Sequence, residues 1–97
     1  GNDVVTVGRR LVHRVSTGGG RDTVTASASS SLFSLGDGND AMTEAGTRNT
    51  VDLGAGNDVA TLTGWHAVAY GGDGHDRIGA TGPGSQTLYG DAGNDTL

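Results

Sequence analysis

The 97 residues predict an all-β fold, a right-handed parallel β-solenoid of about five turns with about 18 residues in each. Three observations predict it. An Asp recurs at a nearly fixed distance along the whole chain, a glycine-rich stretch precedes each Asp, and apolar residues stand in columns behind it. A regular repeat of this length has to be read before any local motif.

The recurring residues are Asp3, Asp22, Asp40, Asp58, Asp76 and Asp95, separated by 19, 18, 18, 18 and 19 positions. The segments in front of them read "TGGGRD" at 17–22, "LGDGND" at 35–40, "LGAGND" at 53–58, "GGDGHD" at 71–76 and "GDAGND" at 90–95, and the chain opens on "GND". Gly20, Gly38, Gly56, Gly74 and Gly93 each stand two before the Asp. Gly, Asn and Asp tolerate tight bends, so each segment reads as a loop.

The strands come from the columns. Two after each Asp stand Val5, Val24, Met42, Ala60, Ile78 and Leu97, and four after it Val7, Ala26, Glu44, Leu62 and Ala80. A spacing of two is a strand period. Seven before each Asp stand Val15, Phe33, Val51, Ala69 and Leu88, which marks a second strand. Each unit is therefore strand, bend, strand, loop. Both columns keep register, so the extra residue of the two longer intervals belongs to the bends around "GRR" at 8–10 and "TGPGS" at 81–85. A bend accommodates an insertion that a ladder does not. Stacked turns are ~4.8 Å apart, so all six Asp fall on one edge.

Composition narrows the class further. Gly is 19 of 97 with a single Pro, which excludes collagen, and there is no Cys for disulfide or thiol chemistry. Residues 1–97 read as one segment cut from a longer protein, because the chain opens and closes inside its repeat. No apolar run is long enough for a transmembrane segment. Eleven acids against six Arg give net charge −5, which argues against nucleic acid as a partner.

Nine of the eleven acids lie in the loops, the six closing Asp plus Asp37, Asp73 and Asp91, while Glu44 and Asp52 lie elsewhere. Carboxylates stacked ~4.8 Å apart repel by about 0.9 kcal/mol per pair in bulk water and by several-fold more near protein. No column of Arg faces them, so a cation must bridge the rungs. Carboxylate and backbone carbonyl oxygens on a flexible loop suit Ca2+ better than Mg2+, which keeps several waters. Glycine allows the loop to turn its carbonyls inward.

"GGDGHDRIG" at 71–79 and "LGAGNDVAT" at 53–61 resemble the nonapeptide G-G-x-G-x-D-x-U-x of RTX (repeats-in-toxin) proteins, a calcium-binding parallel β-helix repeat. The resemblance runs along the whole chain. It implies a calcium-dependent β-roll, type I secretion and an extracellular setting, as in adhesins or the tails of secreted enzymes. It also implies that loops of successive turns sandwich each ion, with the closing Asp giving its side chain and the loop its carbonyls. The expected metal positions are Asp3; Gly18, Gly20 and Asp22; Gly36, Asp37, Gly38 and Asp40; Gly54, Ala55, Gly56 and Asp58; Gly72, Asp73, Gly74 and Asp76; and Asp91, Gly93 and Asp95. One departure stands out. The opposite bends, "ASASSS", "AGTRNT", "TGWHAV" and "ATGPGSQ", lack the G-x-G-x-D core, so metal is expected on one edge only, about five ions between six loops.

Other motifs fail. The stretch from Asp37 begins like an EF-hand loop but has Arg48 at its twelfth position, and there is no G-x-S-x-G. His13, His66 and His75 are scattered, and His75 reads as an exposed, idle side chain in a slot where other copies carry Asn. No catalytic constellation is present, so the expected role is a structural module, not an enzyme. Inward positions are mostly Val, Ala and Leu, a thin core beside a self-repelling edge. The apo chain is expected to be largely disordered and to fold on binding calcium. Two alternatives remain. Arg9, Arg10, Arg14 and Arg48 with Trp65 and His66, on or near the metal-free edge, suggest contact with an acidic polysaccharide. Thr6, Thr25, Thr43 and Thr61 form a rank similar to the ice-binding faces of some solenoids, ended by Gly79 and flanked by Arg77. Flanking repeats of the parent chain are the remaining expected partner.

Overall fold

The structure is a computed structural model, and it describes residues 2–8, 14–27, 29–81, 86–90 and 93. The described residues form ten strands and no helix. They are β1 (Val4–Val7), β2 (Arg14–Ser16), β3 (Thr23–Ala26), β4 (Leu32–Ser34), β5 (Ala41–Glu44), β6 (Thr50–Asp52), β7 (Val59–Leu62), β8 (Val68–Tyr70), β9 (Arg77–Ala80) and β10 (Thr87–Tyr89). Odd strands build one parallel sheet in the order β1-β3-β5-β7-β9, and even strands build the other in the order β10-β8-β6-β4-β2. Each turn of the solenoid thus contributes one strand to each sheet.

Register follows the columns. Val24 pairs with Met42, Met42 with Ala60 and Ala60 with Ile78, each 18 apart. Val5 pairs with Val24 at 19, whereas Val15 pairs with Phe33 at 18, so the first extra residue lies between β1 and β2. Likewise Ile78 pairs with Ala60 at 18 but Leu88 with Ala69 at 19, so the second lies between β9 and β10. Both insertions thus fall between an odd strand and the even strand that follows it, as the spacing predicts, and the segments 8–10 and 81–85 expected to hold them lie largely outside the described residues.

Alternation fills the interior. In β3 Val24 and Ala26 are buried while Thr23 and Thr25 are exposed, and β5 and β7 repeat the pattern. The short even strands turn only their middle residue inward, Phe33, Val51 and Ala69. A further column missing from the sequence reading, Leu35 and Leu53, closes the core where each even strand enters its loop. Fully burying Phe33, Leu35, Met42, Leu53, Leu62 and Ile78 contributes about 1.5–3 kcal/mol each. Ala26, Ala60, Ala67 and Ala69 complete the core with far less, so it is thin, as expected. Thr6, Thr25, Thr43 and Thr61 form an exposed rank in register, and Gly79 ends it.

The two edges differ. Even strands return to odd strands through the Gly-Asp loops. Odd strands lead to even strands through bends, where Ser29, Thr47 and Trp65 pair in a short third ladder. Arg48 lies in one of these bends, but Arg14 stands exposed on β2, beside the bend and not in it. Arg9, Arg10 and His13 lie outside the described residues.

Candidate metal centre

The closing Asp side chains point inward. Asp22, Asp40, Asp58 and Asp76 are all nearly or fully buried, between 0 and 3% exposed. Each places Oδ1 against the preceding turn. Asp3 N–H donates to Asp22 Oδ1 at 2.8 Å, Asp22 N–H to Asp40 at 2.8 Å, Asp40 N–H to Asp58 at 2.7 Å, and Asp58 N–H to Asp76 at 2.9 Å. The recurring Asp is therefore a continuous rung-to-rung ladder, built from backbone donor to side-chain acceptor.

The second carboxylate oxygen is different. Oδ2 of Asp22, Asp40 and Asp58 is buried and accepts no hydrogen bond. A buried anionic oxygen without a donor is strongly disfavoured unless a cation meets it. Desolvation accordingly pushes the Asp40 carboxyl up, and neighbouring charges on Asp22 and Asp37 add to it. Asp58 is pushed up to about 7, again chiefly by burial, with Asp40 and Asp76 adding repulsion against the bond from Asp40 N–H.

The loop backbone supplies further oxygens. Gly54 (φ 85°) and Gly56 (φ 124°) lie in the left-handed region, and Gly18, Gly20, Gly36, Gly38, Gly72, Gly74 and Gly93 repeat the pattern. At Gly56 a second constraint applies, because an added Cβ would collide with the carbonyl oxygen of Gly38 in the turn below. The carbonyls of Gly36, Gly38, Gly54 and Gly56 accept no hydrogen bond among the described residues. Those of Ala55 and Asp73 do, from Gly38 N–H and Gly56 N–H at 2.9 Å each. Asp37 and Asp73 themselves are exposed.

No three acidic or His side chains converge among the described residues. Each turn brings one inward carboxylate, so any ion between turns takes most of its ligands from backbone. That donor set, one or two carboxylate oxygens with several carbonyls, fits Ca2+. Loops 17–22, 35–40, 53–58 and 71–76 bring together Gly18, Gly20, Asp22, Gly36, Asp37, Gly38, Asp40, Gly54, Ala55, Gly56, Asp58, Gly72, Asp73, Gly74 and Asp76 on one edge. Asp3 joins through its N–H to Asp22, and Gly93 through the stacking of its Cα on Gly74. Asp91 and Asp95 lie outside the described residues.

Two sets of residues escaped the sequence reading. One is the position before each closing Asp, where Asn2, Asn39 and Asn57 each accept a hydrogen bond from the next turn. The other is Glu44 with Asn49, buried on the far edge and joined by Asn49 Nδ2 to Glu44 Oε1 at 2.6 Å. Repetition of Asn at one slot was the available signal for the first. For the second it was an acid in an otherwise apolar column.

No curated protein and no solved structure matches the chain. A family model does. The RTX calcium-binding nonapeptide repeat matches residues 16–43 and 80–97, in four copies. The first segment contains the Asp22 and Asp40 loops, whose ladder bonds continue unchanged to Asp58 and Asp76. Residues 16–43 and 80–97 thus match RTX calcium-binding nonapeptide repeats, within a chain stacked as a parallel β-solenoid.

Proposed function

We propose that this chain is a calcium-binding structural module of a secreted protein, which folds when it meets calcium outside the cell. The carrying observation is the buried, donor-free Oδ2 of Asp22, Asp40 and Asp58 on one edge of the stack. Ions held between successive loops, about five in all, take Oδ2 and the glycine carbonyls as ligands. The Oδ1 ladder and the glycine backbone set the loop spacing. Calcium neutralises carboxylates that the thin core cannot keep charged unaided.

Circular dichroism during a calcium titration from EDTA tests this. The expected result is a coil-like spectrum converting to a β-rich one with a steep dependence on calcium and little response to magnesium. A β-rich spectrum already complete in EDTA overturns the folding claim.

A second reading concerns the far edge. Trp65 is 49% exposed, its ring stands 6.2 Å from that of His66, and Arg48 lies exposed one turn before. Aromatic faces beside guanidinium suit an acidic polysaccharide. Retention on alginate in calcium, lost in Trp65→Ala, supports it; no retention with or without calcium ends it.

A further inference from the structure

The residue before each closing Asp has no backbone reason to be Asn. Among the described residues the non-glycine positions with positive φ are Ser30, Arg48 and His66, so Asn2, Asn39 and Asn57 occupy conformations open to any residue. Their side chains instead bond along the stack. Asn2 Oδ1 accepts from Arg21 N–H at 2.8 Å, Asn39 Oδ1 from Asn57 N–H at 2.9 Å, and Asn57 Oδ1 from His75 N–H at 2.8 Å.

These bonds run opposite to the Asp bonds. In an Asn bond the side chain belongs to the earlier turn and the N–H to the later one. In an Asp bond the N–H belongs to the earlier turn and the side chain to the later. At Asn57–Asp58 the two meet: Asn57 N–H goes back to Asn39, and Asp58 N–H goes forward to Asp76. Two successive N–H groups, which would otherwise present positive dipole ends beside the Asp carboxylates, are thereby occupied by oxygens of the neighbouring turns. A cation among these carboxylates then meets oxygen and not N–H.

The Asn series is interrupted twice, by Arg21 and by His75, and the imidazole of His75 keeps a ring nitrogen able to accept. Arg21 holds this slot in the second turn, and guanidinium offers only donors. Asn39 N–H accordingly finds no protein acceptor among the described residues.

We propose that this slot is a positioning ladder for the calcium loops, that its acceptor oxygen couples each loop to the next, and that Arg21 interrupts the coupling between the second and third turns. The inference rests on the calcium reading above and adds a residue class to it.

Restoring the missing rung is the test. Arg21→Asn is compared with Arg21→Ala, which removes the same charge without adding an acceptor, and Asn57→Ala is made beside Asn57→Asp, which keeps an oxygen. Two quantities are read: amide hydrogen exchange of Asn39 and His75 in calcium, and the calcium midpoint. Arg21→Asn is expected to slow Asn39 exchange and lower the midpoint about 1.2- to 1.7-fold relative to Arg21→Ala, the net effect of one hydrogen bond shared among about five ions. Asn57→Ala should speed His75 exchange and raise the midpoint by a similar factor, and Asn57→Asp should restore the slow exchange. Unchanged Asn39 exchange in Arg21→Asn overturns the ladder. Slowed exchange with a midpoint equal to that of Arg21→Ala overturns its link to calcium. A parent chain indifferent to calcium sinks the proposed function and this inference together, whereas a responsive parent with inert variants sinks the inference alone.

Discussion

The two edges of the solenoid solve the same geometrical problem with different chemistry. On the loop edge, Asp40 Oδ1 accepts from Asp22 N–H at 2.8 Å. Nine residues on, at the opposite edge, Asn49 Oδ1 accepts from Ser31 N–H at 2.9 Å. The ladder bond is the same. What differs is the second atom of the side chain. Asn49 Nδ2 donates to Glu44 Oε1, whereas Asp40 Oδ2 is buried with nothing to accept from. The backbones differ in parallel. Loops use two glycines at positive φ, as at Gly54 and Gly56, while bends use a single non-glycine residue, Ser30, Arg48 or His66. The Asn49 amide is satisfied by hydrogen bonds internal to the protein, although its partner Glu44 keeps a buried Oε2 that accepts none. A carboxylate in the same place leaves the edge electrostatically open, to be closed by a cation.

The harshest way to break the comparison is Gly56→Ala. The residue would hold φ 124°, and its Cβ would overlap the Gly38 carbonyl oxygen. Strain and backbone overlap together should cost about 3 kcal/mol or more. Gly18→Ala meets the φ penalty alone, with nothing within 4 Å of the added carbon, and should cost about 1 kcal/mol. Calcium-loaded thermal unfolding of both variants measures the gap. Equal losses would mean that close stacking of the glycine backbones contributes nothing to the loops.

Converting one edge into the other comes next. Asp58→Asn keeps the acceptor for Asp40 N–H but replaces the donor-free anion by an amide, as at Asn49. It should weaken the calcium response of the rod while leaving the apo chain no less ordered. Asp58→Ala removes the acceptor as well, and the stranded N–H adds about 1–3 kcal/mol to the lost ion contact. Asp52 is exposed on β6, away from the loops, so Asp52→Ala should stay within about 0.5 kcal/mol. Isothermal calorimetry ranks the three. Asp58→Ala and Asp52→Ala with the same calcium midpoint would remove the loop edge as the metal site.

Acid separates the edges through sign. Without calcium, the folded-state carboxyl of Asp58 stands at about 7, above its ordinary value of 3.8, because burial disfavours its charge. Its stabilising contribution to the apo fold is fully present below 3.8 and is lost as pH rises through about 7. Calcium needs the charged form, so binding expels protons and the calcium midpoint should rise as pH falls below about 7. Glu44 has the same apo sign: burial raises it, while Asn49 and Gly46 N–H lower it. The proposed calcium sites, however, lie on the loop edge, away from Glu44. Glu44→Gln should therefore remove part of the pH dependence of stability, with a gain of about 1 kcal/mol at neutral pH, and leave proton release on calcium binding unchanged. Calorimetry in buffers of different ionisation enthalpy reads that release directly. A changed release in Glu44→Gln would place this acid in the calcium response.

How far this was legible follows from what each role requires. Odd strands needed only two apolar columns at a spacing of two and even strands a single column, so both sheets, their register and the two insertions were legible in the sequence. The closing Asp was legible because charge stacked on charge has a consequence at any geometry. Asn39 and Asn57 were hidden, because Asn is also a common turn residue and its acceptor role appears only when the neighbouring turn is placed. His75 read as idle, yet its backbone N–H is held by Asn57. Asn49 was discarded with its bend for lacking glycines, although a ladder bond asks only for an oxygen at the right height. Glu44 was counted as lying outside the loops, and its burial came from neighbours it pairs with, Ala26 and Leu62.

The smallest effect concerns the residue that makes each bend. Arg48 sits at φ 58° and is exposed, and its N–H donates to Trp65 O at 2.8 Å. A residue with a Cβ held in this region costs roughly 1–2 kcal/mol. Arg48→Gly removes that strain but loosens the unfolded chain, which returns about 0.4–1 kcal/mol. The net expectation is a gain of up to about 1 kcal/mol in calcium-loaded stability, with the bond to Trp65 kept. The lost charge lies on the edge away from the loop carboxylates and is screened within about 8–10 Å at ordinary salt. The calcium midpoint should therefore move only as far as the stability gain carries it. Chemical denaturation at two salt concentrations checks both parts. A loss of stability instead would show that the Arg48 side chain holds its bend, and the far edge would then depend on its side chains as fully as the loop edge depends on Asp.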